Sequence, residues 1–250
     1  MFGFNFDRRT IYIILAILIL YTLTSSGMDF VFSTLLTLPG VIIAITFHEF
    51  AHAYAADRLG DTTPRAQGRL NLDPKSHIDP FGIILLIFAH IGWGKPVQIN
   101  PNNFNSNKSR ETCEAIVSFA GPLTNFILAI IFTVIYFVLN IFASSFLYTS
   151  VGSIIGTMVY ATILVNIGLG VFNLIPIHPL DGEKIFRLVL PYKVKQFLDN
   201  NMPTIYMIFM VLWITGILSE LVSPVINLVY AGIFKLVGLI FGLFMKKMEK

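Results

Sequence analysis

Residues 48–52 read His-Glu-Phe-Ala-His. On a helix the two histidines stand one turn apart and point the same way, so two imidazole nitrogens can reach one metal ion at about 2 Å. Glu49 adjoins His48 in sequence but lies about 100° further round the helix. From there its carboxylate can reach a metal-bound water without being a ligand. This is the arrangement of zinc peptidases. Zinc lowers the pKa of bound water to about 7, and the glutamate takes the water proton and passes it to the leaving amine.

The setting sharpens the motif. Eighteen uncharged residues, 30–47, lead straight into it. Ionisable groups are costly in lipid, so such a cluster signals function rather than packing. A di-iron carboxylate site would need a second Glu-x-x-His and further glutamates. The chain has only the pair Glu49–His52, which excludes it.

A catalytic zinc site usually has three protein ligands and one open position. His48 lies nine residues before Asp57, about 14 Å along a helix from the charged end. The third ligand should therefore come from another helix end on the same side. Residues 173–182 read Asn-Leu-Ile-Pro-Ile-His-Pro-Leu-Asp-Gly. Pro176 and Pro179 interrupt the helix there, and Gly182 permits a tight turn. Asp181 is the first carboxylate after the uncharged stretch 115–180 and is the expected third ligand. His178 competes, three residues away; His77 and His90 are weaker candidates.

The elements that must hold these residues are membrane helices. Of 250 residues 55% are hydrophobic and 12% charged, about half the charge of a soluble domain. A spanning helix needs about 20 apolar residues. Runs at 10–28, 30–47, two within 115–180 turning near 143–152, 204–222 and 225–245 give six. The first is too long for a signal-peptide core and lacks a cleavage site. The expected fold is an all-α polytopic membrane protein forming one integral-membrane domain over 1–250. Residues 81–94 are apolar but too short to span, and 95–100 alternate, so a short re-entrant or β-hairpin-like segment is expected near 81–100. Almost all Lys and Arg fall on one side of six alternating spans, which makes that side, with both termini, cytoplasmic. Lys235 lies inside the last span, where a polar neighbour would suit it. The lone Cys113 is expected to be a reduced structural thiol, since one cysteine forms no intramolecular disulfide.

The motifs HEFAH at 48–52, AGPLTN at 120–125 and NLIPIHPLDG at 173–182 resemble the site-2 protease family of intramembrane zinc metalloproteases. The stretches 71–82 and 92–101 are similar to its compact prokaryotic branch, without PDZ or C-terminal regulatory domain. The resemblance implies one zinc held by His48, His52 and Asp181, with Glu49 as general base. It also implies that Asn125 and Asn173 line the site, holding unwound substrate or its oxyanion; interhelical hydrogen bonding is the structural alternative for both. Single-span membrane proteins, such as anti-sigma factors or transcription-factor precursors, would be the substrates in regulated intramembrane proteolysis. The bilayer is the other partner, no nucleic acid is expected, and a bacterial or archaeal plasma membrane is the implied location. Many relatives read Asp-Gly-Gly where this chain has Asp181-Gly182-Glu183.

A helical substrate must unwind before cleavage. The 95–100 segment is expected to offer it backbone hydrogen bonds, as a strand does in β-augmentation. Two rivals compete with the protease. A scaffold would have no need of a general base, and a metal transporter would want polar groups through the full depth of the bundle.

Overall fold

The structure, a computed structural model, describes residues 27–83 and 93–248. The regular elements there are helices, with no strand among the described residues. Long α1 (Gly27–Arg58) is followed by two single turns, α2 (Thr63–Ala66) and α3 (Pro74–His77), and a 3-10 turn at Pro101–Asn103. Next come α4 (Arg110–Phe142), a single turn α5 (Ser144–Leu147), α6 (Ser150–Asn173) and the short α7 (Asp181–Arg187). The chain ends in α8 (Tyr192–Ile214) and α9 (Ile217–Met248). Lipid offers the backbone no hydrogen-bond partner, so uncharged runs that bury in it close their bonds internally as helices.

Five of these helices are long and apolar enough to cross a membrane. The run 10–28, the first expected span, lies outside the described residues except for its last two, which open α1, and most of the apolar run 81–94 lies outside them as well. The expected β-hairpin near 81–100 reduces, among the described residues, to one bridge between Ile78 and Gly94. Lys95 N–H donates to His77 O at 2.8 Å beside it. Further along, the backbone donors go to side chains: Val97 N–H to Glu49 and Asn100 N–H to Asp61. A strand needs a continuous backbone partner, and this segment has carboxylates instead.

Helices α1, α4 and α6 pack on one another at the level of the HEFAH turn. The Asn125 amide on α4 donates to Ala44 O on α1 and to Asn166 Oδ1 on α6. α9 packs on α4 and α6 around Ala129, Ile163, Ile167, Val171, Ile233 and Val237.

The direction of α9 departs from six alternating spans. Its start, Leu221 and Val222, lines an apolar cleft with Val171, Leu174 and Ile175 at the end of α6. Its middle meets α6 earlier in sequence, where Tyr230 and Tyr160 hydroxyls lie 3.2 Å apart. Its last third stacks Phe241 on Phe137, near the end of α4. So α9 runs parallel to α4 and antiparallel to α6. Its basic end, with Lys246 and Lys247, lies at the α5 end of the bundle rather than with Arg58 and Arg110. α8 keeps to the Arg58 end. Lys195 near its start pairs with Glu111 at the start of α4 (2.9 Å). Phe209 and Trp213 near its finish pack on Phe172 at the end of α6.

The break between the last two helices falls at Thr215–Gly216, earlier than the gap between the expected runs 204–222 and 225–245. Gly216 has φ +78°, the left-handed conformation that ends helices and that glycine adopts without strain. Pro224 sits inside α9. Lys235 faces outward from α9 and is exposed.

Candidate metal centre

HEFAH occupies the last third of α1. His48 and His52 are buried there, and each ring is fixed by a hydrogen bond at its far nitrogen. His52 Nδ1 lies 2.7 Å from Val117 O on α4 and donates to it. Pro122, inside α4, has no N–H to return to Ser118 O, the carbonyl next to that of Val117. His48 Nδ1 lies 2.7 Å from Asn125 Oδ1. Asn125 donates through Nδ2 to Ala44 O and Asn166 Oδ1, so its oxygen is the acceptor and His48 Nδ1 carries the proton. Both Nε2 atoms therefore present lone pairs.

Those lone pairs converge on the third residue. His48 Nε2 and His52 Nε2 are 3.0 Å apart. Asp181 Oδ2 lies 3.1 Å from the first and 3.2 Å from the second. Three acceptors this close, with no donor among them, fit a cation. The spacing matches ligands placed about 2 Å from a tetrahedral zinc. Asp181 Oδ2 is moreover buried and receives no hydrogen bond, the state of a ligand atom whose partner is an ion. His48, His52 and Asp181 thus could hold one zinc.

Asp181 reaches this point because it opens α7, whose remainder is clamped from outside. Glu183, the departure from Asp-Gly-Gly, takes a hydrogen bond from Arg187, which also pairs with Asp199 on α8. Those two carboxylates hold the Arg187 guanidinium above its ordinary pKa, Asp199 contributing most, against the opposing effect of burial.

α4 approaches the histidines closely. A Cβ added at Gly121 would lie 2.5 Å from His52 Nε2 and 2.6 Å from His48 Cε1. Only glycine leaves room there.

Glu49 is part-buried, and its Oε2 accepts the Val97 N–H at 2.9 Å. Near it lie two buried polar residues, Arg69, which had no expected role, and His77, a weaker candidate for the third ligand. Arg69 donates to Lys95 O, while its Nε has no partner. His77 is fully buried, with Nε2 on Asn71 O at 2.8 Å and Nδ1 unpartnered. Burial lowers the pKa of both. Asp61 ties the far end of this loop: it accepts from Thr63, Asn100 and Asn103. Burial pushes its pKa up, but these hydrogen bonds outweigh that and hold the carboxyl below its ordinary range.

The structure therefore brings together His48, His52 and Asp181, and leaves out the competitors. His178 is exposed, His77 is engaged elsewhere, and His90 lies outside the described residues. The oxyanion role expected of Asn125 finds no free donor, since both amide N–H groups are committed within the bundle. Asn173 donates to Leu169 O, one turn back in its own helix. Cys113 is a free buried thiol. The sequence reading missed Asn166, Gly121 and Arg69. Asn166 had a signal, as the one amide inside the uncharged helix 150–172.

The profile of peptidase family M50 matches residues 36–217. YwhC of Bacillus subtilis (strain 168) is 34% identical over 201 residues, covering 80% of this chain and 90% of that protein. Rip2 of Mycobacterium tuberculosis (strain ATCC 25618 / H37Rv) is 29% identical over 151 residues, 59% of this chain and 54% of that one. MJ0392 of Methanocaldococcus jannaschii is 26% identical over 155 residues, 61% of this chain and 34% of that one. All three carry the words "zinc metalloprotease" in their names. No solved structure matches the chain significantly.

Proposed function

This chain belongs to peptidase family M50, the site-2 protease family of zinc metalloproteases, and from that premise we propose that it is an intramembrane zinc metalloendopeptidase. Its substrates are single-span membrane proteins, of the anti-sigma-factor or transcription-factor-precursor class, cut in regulated intramembrane proteolysis. The observation that carries this reading is the triangle of His48, His52 and Asp181 beside Glu49, with both histidines and the glutamate on a helix long and apolar enough to cross a membrane.

His48, His52 and Asp181 hold the zinc. When bound, the ion polarises the scissile carbonyl and lowers the pKa of water to about 7. Glu49 acts as general base: its carboxylate accepts a proton from the attacking water as oxygen bonds to the carbonyl carbon. It then delivers that proton to the amide nitrogen as the C–N bond breaks. Val97 N–H fixes one carboxylate oxygen, Oε2, and so aims the other. Asn173, at the end of α6, is the candidate to hold the unwound substrate backbone. An extended substrate would lie along the 95–100 segment. The wealth of Lys and Arg at the Arg58 end makes that end cytoplasmic in a plasma membrane, and cleavage falls in its leaflet.

The test is cleavage of a generic single-span protein by the purified full chain in detergent, wild type beside Glu49→Gln, with and without a zinc chelator. Cleavage by wild type alone, lost with chelator, is the expected result. Equal cleavage by both proteins would overturn the role of Glu49.

A further inference from the structure

Arg69 is a buried guanidinium whose position the metal centre does not explain. It is 6% exposed and makes no ion pair among the described residues. Its own backbone is pinned by N–H donation to Pro64 O at 2.8 Å. A buried charge without a counter-ion is costly, so its geometry should carry a function. Its one side-chain hydrogen bond goes to Lys95 O. Two residues later Val97 N–H donates to Glu49 Oε2 at 2.9 Å. Between these two contacts stands Pro96, whose ring fixes φ and stiffens the link. The other side of the link is held by Lys95 N–H on His77 O. The Lys95 peptide units are thus gripped by Arg69 and His77, and Val97 is presented to Glu49 from that grip.

We propose that Arg69 is a positioning residue for Glu49, acting through the Lys95–Val97 backbone. It fixes the peptide that donates to Oε2, and so fixes the direction of the carboxylate. Its side-chain hydrogen bond goes to Lys95 O and not to any of the three ligand atoms. The guanidinium is suited to this because it cannot lose its proton, and Glu49 is the carboxylate whose charge acts on it. The proposal rests on the protease reading for its kinetic consequence, but its structural content stands without it.

Two measurements on the full-length, zinc-loaded protein test it. The first reads hydrogen exchange of peptides spanning 93–99 in wild type, Arg69→Gln and Arg69→Lys. If Arg69 grips this backbone, Arg69→Gln exchanges about tenfold faster there. Helix α1 stays protected, zinc content is unchanged, and Arg69→Lys recovers part of the protection. Unchanged exchange in Arg69→Gln overturns the proposal whether or not the protein cleaves anything. So does loss of zinc with general deprotection in both variants, which would mark Arg69 as a plain structural residue.

The second measurement reads turnover of a single-span substrate. Misaiming a catalytic group costs about tenfold to a hundredfold, so kcat of Arg69→Gln should fall by that factor with KM within about twofold of wild type. Val97→Pro deletes the same link at its other end. The double variant should be no slower than the slower single variant, because both changes break one chain of contacts. Multiplicative losses would show that Arg69 acts by another route. Failure of the protease reading looks different: wild type and Glu49→Gln are then equally silent, while the exchange measurement still decides the role of Arg69.

Discussion

Asn125 and His48 are joined by a 2.7 Å hydrogen bond between residues 77 positions apart. The same amide reaches Ala44 on the histidine's own helix and Asn166 on a third. One side chain therefore does two things: it selects the His48 tautomer that frees Nε2, and it fastens three helices where the metal binds. Asn125→Ala should weaken zinc binding by about tenfold to a hundredfold, as loss of a ligand's orienting partner does. Competition with a calibrated chelator measures this. Asn125→Asp separates the roles. It keeps an acceptor for His48 but turns carboxylate oxygen toward Ala44 O and Asn166 Oδ1. It should hold zinc better than the alanine variant and yet unfold earlier on heating, by about 2 kcal/mol.

Gly121 gives a steric prediction. A methyl group there would press on both imidazoles at about their ligand atoms. The backbone of α4 is fixed by packing on α1 and α6, so the rings must move. Gly121→Ala should lower zinc occupancy and abolish activity while the helical content remains. Gly238→Ala is the control, because its added carbon would meet only the Phe137 ring at 3.6 Å, an ordinary contact. Full zinc occupancy in Gly121→Ala would mean that α4 can yield.

Asp61 makes the loop sensitive to acid. Its carboxyl is held below the ordinary range by donors from Thr63, Asn100 and Asn103, against the effect of burial. A group depressed in the folded state contributes stability above its unfolded pKa, near 3.9. That contribution is lost as pH falls through the lowered folded value. Exchange of the 98–105 backbone should therefore accelerate below about pH 4 in wild type. In Asp61→Asn it should already be fast at neutral pH and change less with acid, since an amide cannot accept from all these donors. A variant that tracked wild type through this range would show that Asp61 is not the latch.

The metal ligands were legible because their signals are local. Two histidines at helical spacing inside an uncharged run announce a buried site, and Asp181 is the first carboxylate after a long apolar stretch. The grip on Glu49 was not legible. Val97 acts through a backbone N–H, which every residue but proline carries, and the expected strand dissolves because those donors meet carboxylates. Asn166 could have been found by asking why an amide stands alone in an apolar helix. The final turn was misplaced because only the apolar runs 204–222 and 225–245 set it, and Pro224 then sits inside α9. Membrane helices accommodate proline when neighbours satisfy the freed carbonyl, whereas the positive φ at Gly216 ends one outright.

The direction of α9 was beyond sequence reasoning, since the hydropathy of a span is the same read either way and only packing orients it. Phe241 on Phe137, Tyr230 on Tyr160 and Leu221 near Leu174 set the helix parallel to α4. Lys246 then lies across the bundle from Lys193, although counting spans would put both on one face. Substituted cysteines decide this, because the native Cys113 is buried and leaves a quiet background. In sealed cells a membrane-impermeant maleimide should label only one of Lys193→Cys and Lys246→Cys from outside, and disrupted cells should label both. Lys246→Cys is the one expected to react in intact cells under the proposed orientation, in which the Arg58 end, rich in Lys and Arg, is cytoplasmic. Labelling of neither in intact cells would return α8 to a full crossing and place the C-terminal end inside.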